Sequence, residues 1–187
     1  QAEFEAAIAR KELPPPPPEY PTDILPLDTS AHPRTVGVLY NAMVAPLAPL
    51  AVRGMIWYQG ENDRRAGNLY EKYMEALINS WRQAFRNPDM PIYFVQLAPY
   101  NYKENPDFLP VCQEAQALFA DHDRNAHMAV INDIGTLDDI HPRNKQDVGR
   151  RLADLALEYT YGKLTGSDAP VIAGAECRDG KVVISFK

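Results

Sequence analysis

The sequence lacks several features that define other classes of protein. It contains no run of about 18 apolar residues, so it has no segment suited to crossing a membrane. Its only two cysteines, Cys112 and Cys177, have no metal-ligand spacing, and they are compatible with either one disulfide or two free thiols. Like charges do not gather in blocks and the net charge is −6, which argues against nucleic acid as the main partner.

The composition is that of a globular protein with an unusual N-terminal stretch. The 187 residues include 45% apolar and 24% charged residues, which is typical of one soluble domain. Residues 3–12 have the composition of an amphipathic helix rather than of a signal peptide. Five prolines at 14–18 then stop any helix and favour a stiff, extended chain. We therefore predict an N-terminal helix and Pro-rich loop over residues 1–34, for which a plain linker is the simplest interpretation.

Residues 35–166 show the alternation of an α/β domain. Short apolar runs indicate buried strands, and apolar residues at spacings of three or four between them indicate helices. Strand, helix, strand, helix in this order predicts a parallel sheet covered on both faces. The predicted strands are 55–58, 91–98 and 127–132, and the predicted helices are 67–86, 108–121 and 142–161.

The C-terminal tail has a different pattern. An apolar run at 182–186 follows a turn signal at 178–181, as in half of a β-hairpin. We predict that residues 167–187 form a β-hairpin or the start of an accessory β-rich region.

Two polar clusters follow predicted strands directly. Residues 59–62 (QGEN) come after the first strand, and residues 133–141 (DIGTLDDIH) come after the third. In open α/β sheets, ligands bind beyond the carboxyl ends of the strands. Both clusters are therefore expected to face the same crevice.

His141 is the strongest single candidate for catalysis. A general base needs an imidazole and a carboxylate that holds its tautomer, and Asp138 and Asp139 lie three and two residues before it. The pattern alone is short, and a histidine that merely caps the following helix fits it as well.

Gln59 and Glu61 are the candidates in the other cluster. The Gln59 amide, at a strand end, has an N–H that can stabilise an oxyanion, although it can equally satisfy loop backbone. Glu61 can serve as a general acid or base, or bond to its own turn.

Long ordered motifs around these clusters resemble one family. LYNAM at 39–43 and GMIWYQGEN at 54–62 resemble a signature of sialate O-acetylesterases and their bacterial relatives. PIYFVQLA at 91–98, Gln116 in the next helix, and the DIG and DIHPRNK blocks of residues 133–145 also resemble that family. The likeness runs from about residue 35 to residue 186.

This resemblance implies a three-layer, flavodoxin-like SGNH-hydrolase fold and the hydrolysis of O-acetyl esters on sugars. It implies His141 as the base, Asp138 or Asp139 as its orienting carboxylate, Gln59 as an oxyanion donor and Glu61 as a brace of the loop. It implies no metal or cofactor, and it favours a secreted or periplasmic location.

The family's nucleophile is a serine in a GQSN-type motif, which this sequence does not contain. We therefore expect a C-terminal part of the domain, with the N-terminal strands and the serine on a preceding segment or another chain. The partners implied are an O-acetylated sugar and that segment. Two alternatives stay open: a non-catalytic fragment that binds sugar or a partner chain, and a glycosidase using Glu61 with Asp138 or Asp139.

Overall fold

The structure is a computed structural model, which describes residues 37–163, 166, 170 and 172–186. The helix and Pro-rich loop predicted for residues 1–34 lie outside the described residues. The chain divides into two compact units, 1–46 and 47–187. The described end of the first unit contains one π-helical turn, Tyr40–Val44. The domain limits inferred from the sequence remain predictions.

The second unit contains the predicted parallel sheet. Its strands are β1 (Met55–Trp57), β2 (Ile92–Val95) and β3 (Ala126–Ala129), in the order β1-β2-β3 with β2 central. Met55 pairs in register with Ile92, and Ile92 pairs with Ala126. Each strand is shorter than predicted, because the ladder ends before the apolar run does.

Helices follow each strand, as predicted, and a hairpin follows the last helix. A 3₁₀ turn, Asp63–Ala66, precedes the first helix. The helices are α1 (Leu69–Ala84), α2 (Phe108–His122) and α3 (Lys145–Tyr159), and the hairpin strands are β4 (Ile172–Arg178) and β5 (Lys181–Phe186).

The sheet separates two apolar cores, which makes the predicted three layers. Ile92 and Phe94 of β2 point into the core formed with α1 and α2. Tyr93 and Val95 point the opposite way, into the core formed with α3. All four residues of β2 are buried, because alternate side chains of a central parallel strand meet helices on both faces.

Helix α3 begins later than the sequence suggested. Pro142 was expected to open it, but the first helical residue is Lys145. Asn144 is the N-cap: its side-chain oxygen accepts a hydrogen bond from the Asp147 main-chain N–H at 3.1 Å. Pro142 instead lies buried in the turn before the helix.

The buried face of α1 differs from the one that the sequence predicts, which is the series of apolar residues at every fourth position: Leu69, Tyr73, Leu77, Trp81 and Phe85. Leu69 and Tyr73 are more than half exposed, and the buried stripe is Tyr70, Met74 and Ile78. A step of four residues turns an α-helix by about 40° beyond one full turn, so five residues at that spacing spread over several faces. The apolar spacing of α3 likewise predicts that Tyr159 faces inward with Leu152 and Leu155. Tyr159 is instead exposed and stacks on the His127 ring.

The predicted C-terminal hairpin is present. Strands β4 and β5 are antiparallel, and Asp179 and Gly180 between them have positive φ, as tight hairpin turns require. Cys177 lies exposed in β4 and Cys112 lies buried in α2, and both thiols are free. None of the helices in the described part of the chain is long and apolar enough to cross a membrane.

Candidate active site

The loops that follow the three parallel strands meet at one end of the sheet. Tyr58, at the end of β1, packs into the same core as Ile134, which follows β3. The Lys145 ammonium lies 4.6 Å from the centre of the Tyr58 ring. The Asn101 N–H, after β2, donates to the Leu137 carbonyl at 3.0 Å. Contacts between neighbouring residues thus link the segments that carry Gln59 and His141 around the end of β2.

Gln59 is half-buried and held at two points. Its Nε2 donates to the Asp63 carboxylate at 2.5 Å, within the same turn. Its main-chain carbonyl accepts a hydrogen bond from the Tyr70 hydroxyl at 2.8 Å, and its Oε1 lies 3.3 Å from the same hydroxyl. One N–H of the amide remains without a partner among the described residues.

Glu61 is held through its main chain. The Arg64 guanidinium donates from Nη1 to the Glu61 carbonyl at 2.6 Å and from Nη2 to the Glu104 carboxylate at 2.8 Å. The Arg64 guanidinium carbon also lies 3.8 Å from the centre of the Tyr102 ring. Arg65 pairs with Glu104 as well, and this hydrogen bond lowers the Glu104 pKa below its ordinary value. This charged cluster fastens the Glu61 turn to the loop after β2.

Asp139 and Asp138 have different surroundings. An Asp139 carboxylate oxygen accepts a hydrogen bond from the His141 main-chain N–H at 2.9 Å, and the other oxygen lies 3.6 Å from Arg143 Nε. Asp139 therefore closes its own turn. Asp138 and the His141 imidazole are exposed, and neither side chain forms a hydrogen bond within residues 37–163.

The loop that carries His141 is fastened at its start. Arg151 of α3 donates two hydrogen bonds to the Asp133 carboxylate, at 2.7 and 2.6 Å, and another to the Val130 carbonyl at 2.5 Å. The Arg151 hydrogen bond lowers the Asp133 pKa to about 2. Gly135 packs on Pro99, where a Cβ would lie 2.8 Å from the proline Cδ.

The Gln116 side chain forms hydrogen bonds with the main chain at the end of β2. Its side chain is fully buried in α2; its Oε1 accepts a hydrogen bond from the Leu97 N–H at 2.9 Å, and its Nε2 donates to the Val95 carbonyl at 3.3 Å. The amide thus continues the strand's hydrogen-bonding pattern beyond its last ladder pair. This gives the matched glutamine a structural role at the site.

Comparison with known proteins identifies the family. A family model described as "Carbohydrate esterase, sialic acid-specific acetylesterase" matches residues 30–158, which include every candidate site residue. The chain belongs to this family. Its fold is that of a carbohydrate acetylesterase, because a crystal structure of such an enzyme from Xanthomonas citri superposes with a TM-score of 0.72 at 36% identity. That match covers 80% of this chain and 35% of the other.

The curated relatives of this carbohydrate esterase chain are much longer. Rat sialate O-acetylesterase is 36% identical over 157 residues, which cover 74% of this chain and 29% of the rat protein. The human enzyme is 32% identical over 157 residues, which cover 74% of this chain and 30% of the human protein. The chain therefore spans less than a third of these relatives.

Three residues that hold the site of this family member were missed in the sequence. Asp63 and Arg64 directly follow the QGEN motif, and Tyr70 lies in the first turn of α1. Their positions beside that motif were the available signal. Their partners were not visible, since Arg64 reaches Glu104 forty residues along the chain.

Across the described residues, no group of three or more His, Cys, Asp or Glu side chains could hold a metal ion. A cavity of about 550 Å³ lies beside β3, lined by residues such as Leu118, Met128 and Leu155. Neither Gln59 nor His141 lines this cavity, so the cavity is separate from the candidate site.

Proposed function

We propose that this chain supplies the histidine and oxyanion side of a serine carbohydrate O-acetylesterase. The substrate class is an O-acetylated sugar, either a sialic acid or a plant polysaccharide. The observation that carries this proposal is the junction between the two motif loops, in which Lys145 covers the Tyr58 ring at 4.6 Å. Through it, the segments of Gln59 and His141 share one end of a parallel sheet, where such folds bind ligands.

The proposed chemistry follows from the groups available. A serine hydroxyl attacks the acetyl carbonyl carbon while the His141 imidazole accepts the hydroxyl proton. The free N–H of Gln59 donates to the carbonyl oxygen as it gains negative charge. His141 then gives the proton to the departing sugar oxygen, which leaves an acetyl-serine. Water, deprotonated by His141, releases acetate and restores the serine.

Asp138 is the better candidate for orienting His141. Both oxygens of Asp139 already have partners, the His141 main chain and Arg143. Asp138 has no such commitment within residues 37–163, and its spacing of three residues lets its carboxylate turn toward the imidazole. We propose that Asp138 holds the imidazole N–H and that Asp139 shapes the turn.

The nucleophile is proposed to lie outside these 187 residues, since none of their serines is in a GQSN-type motif. Among the described strands β1 lies at the edge of the sheet, and its outer side is the proposed docking place for the segment that carries the nucleophile. Ile56, at the middle of β1, is 64% exposed, whereas its register partner Tyr93 in β2 is buried. An additional strand and helix beside β1 would cover that apolar side chain, as layered α/β domains require.

Lack of the serine motif also favours a second candidate, a non-catalytic chain that binds sugar or a partner. Acetate release from O-acetylated sialic acid and from acetylated xylan separates the two. We expect no turnover by residues 1–187 alone and turnover by a form that also carries the serine segment. The matched control is the same form with His141→Ala. Equal acetate release with and without His141 would refute the proposed role of His141. Sugar binding without turnover, with or without the serine segment, would refute the esterase proposal and favour the alternative.

A further inference from the structure

We infer that Tyr70 and Asp63 are positioning residues that fix both ends of Gln59, so that one amide N–H is directed toward the acetyl carbonyl oxygen. This inference rests on the proposed esterase function. Neither residue touches the substrate in this scheme. Each acts through the oxyanion donor.

The main chain of Gln59 is held by a close contact with Tyr70. The Tyr70 side chain is 2% exposed, and its hydroxyl donates to the Gln59 carbonyl at 2.8 Å. The next residue, Gly60, has a φ of 139°, and a Cβ there would lie 2.7 Å from the Tyr70 oxygen. Only glycine permits both this backbone conformation and this approach. The backbone that follows β1 therefore packs directly against the Tyr70 hydroxyl.

Asp63 determines which way the amide faces. A carboxylate only accepts hydrogen bonds, so the group that lies 2.5 Å from it must be the Gln59 NH₂ and not the carbonyl oxygen. The amide oxygen then faces the Tyr70 hydroxyl, 3.3 Å away. A flipped amide would place the Gln59 side-chain oxygen against the Asp63 carboxylate, and two acceptors cannot form a hydrogen bond with each other. The second N–H consequently has a fixed direction.

The Tyr70 hydroxyl keeps its proton, and the Asp63 turn is closed by its main chain. Burial raises the pKa of the Tyr70 phenol well above 10.0, so the hydroxyl retains the proton that it donates. Asp63 is in turn held by its main chain, whose N–H donates to the Gly60 carbonyl at 2.9 Å. Residues 59–63 thus form a closed turn in which the donor is preset before substrate arrives, as oxyanion stabilisation requires.

Kinetics in a serine-containing, active form of the protein provides the first test. We expect Tyr70→Phe and Asp63→Asn each to lower kcat about tenfold with little change in KM, which is less than the roughly 10²-fold or larger loss on removing an oxyanion donor. Tyr93→Phe is the matched control, because Tyr93 is also 2% exposed and its hydroxyl lies 2.6 Å from Thr160, in the core beside α3. Losses of kcat equal to that of the control would overturn the inference.

A double-variant cycle separates positioning from general damage. If Tyr70 and Asp63 act only through the Gln59 amide, adding either substitution to Gln59→Ala should lower kcat no further. A full additional tenfold loss in the Gln59→Ala background would contradict the inference.

An NMR measurement on residues 1–187 tests the geometry without any activity. The Gln59 side-chain amide signals, assigned by their loss in Gln59→Ala, should show one strongly hydrogen-bonded proton that exchanges slowly with solvent. Asp63→Asn should shift that proton and speed its exchange, whereas Tyr93→Phe should leave it unchanged. If the serine-containing wild-type protein has no esterase activity, the proposed function fails. The NMR measurement still tests whether Asp63 holds the Gln59 amide. Unchanged Gln59 signals in Asp63→Asn would overturn the inference.

Discussion

Lys145 at the start of α3 covers the ring of Tyr58 at the end of β1, with 4.6 Å between the ammonium nitrogen and the ring centre. The two residues are far apart in sequence, and each lies beside one of the two motif loops. A cation against an aromatic face contributes on the order of 1 kcal/mol, so this contact helps to hold the loops together. The proposed roles of His141 and Gln59 depend on that arrangement.

Substitutions at His141 and its neighbours test the proposed base directly. In a serine-containing form, His141→Ala should lower kcat by several powers of ten, as loss of a triad member does. Asp138→Asn should lower kcat strongly, because the imidazole loses the carboxylate that orients it. Asp139→Asn should have a smaller effect, since its carboxylate bonds to the His141 main chain and not to the ring.

Steady-state kinetics with an unfolding curve for each variant makes this comparison. The opposite order, with Asp139→Asn far slower than Asp138→Asn at equal stability, would transfer the orienting role to Asp139. Near wild-type turnover of His141→Ala would remove His141 from the mechanism.

The Asp133–Arg151 pair predicts a pH dependence of stability. The Asp133 pKa is about 2 in the folded protein, against an ordinary value of 3.8, because Arg151 donates hydrogen bonds to the carboxylate. The unfolded chain therefore binds this proton more readily. The pair stabilises the fold fully above about pH 5, and its contribution disappears as the pH falls from about 4 toward 2.

Urea unfolding of wild type and Asp133→Asn at several pH values measures this effect. The gap between the two free energies of unfolding should be small, since the carboxylate is largely exposed, and should narrow below about pH 4. High salt at pH 6 should also narrow the gap. A gap that stays constant from pH 6 to pH 2 would contradict the prediction.

Gln116 should be far more important for stability than its neighbour Gln113. Gln116→Ala removes a fully buried amide and leaves the Leu97 N–H without its acceptor, which should cost about 1–3 kcal/mol. Gln113 is half-buried and donates to the Leu97 carbonyl at 2.7 Å. Gln113→Ala should cost about 1 kcal/mol or less. Denaturant unfolding of both variants compares them, and equal losses would refute the special role of Gln116.

Two glycines should respond oppositely to alanine. A Cβ at Gly135 would lie 2.8 Å from Pro99 Cδ, so Gly135→Ala must displace one loop and should lower the free energy of unfolding by about 1–3 kcal/mol. At Gly149, within α3, no atom lies within 4 Å of an added Cβ. Gly149→Ala should therefore raise the free energy of unfolding by roughly 0.5–1 kcal/mol. Thermal unfolding of Gly135→Ala and Gly149→Ala, each compared with wild type, measures these effects. Destabilisation by both substitutions would contradict the prediction.

The fold could be predicted because its signals are local. The apolar run of β2 and the spacing of apolar residues in the helices reflect burial on both faces of a parallel sheet, so element order and topology followed. The start of α3 was placed too early because proline suits a first turn, whereas Asn144 supplies the side-chain cap.

The candidate residues could also be found from sequence, but the hydrogen bonds and ion pairs that hold their loops could not. Gln59 and His141 stand out because each follows a strand end. The contacts of Arg64 with Glu104, and of Arg151 with Asp133, join segments that only the folded chain brings together. Likewise, both Asp138 and Asp139 fit the spacing before His141. Only the folded structure shows that the Asp139 carboxylate already contacts the His141 main chain and Arg143.

The contacts of Pro99 with Gly135, and of Asn101 with Leu137, limit how these two loops can be re-engineered. The two loops are in contact at Gly135, which has no room for a side chain, and through a main-chain hydrogen bond. They therefore behave as one structural unit. A transplant of residues 99–104 alone from a homologue would bring a foreign surface against the loop of His141. A graft at this end of the sheet therefore requires both segments to be moved together, with their shared contacts intact.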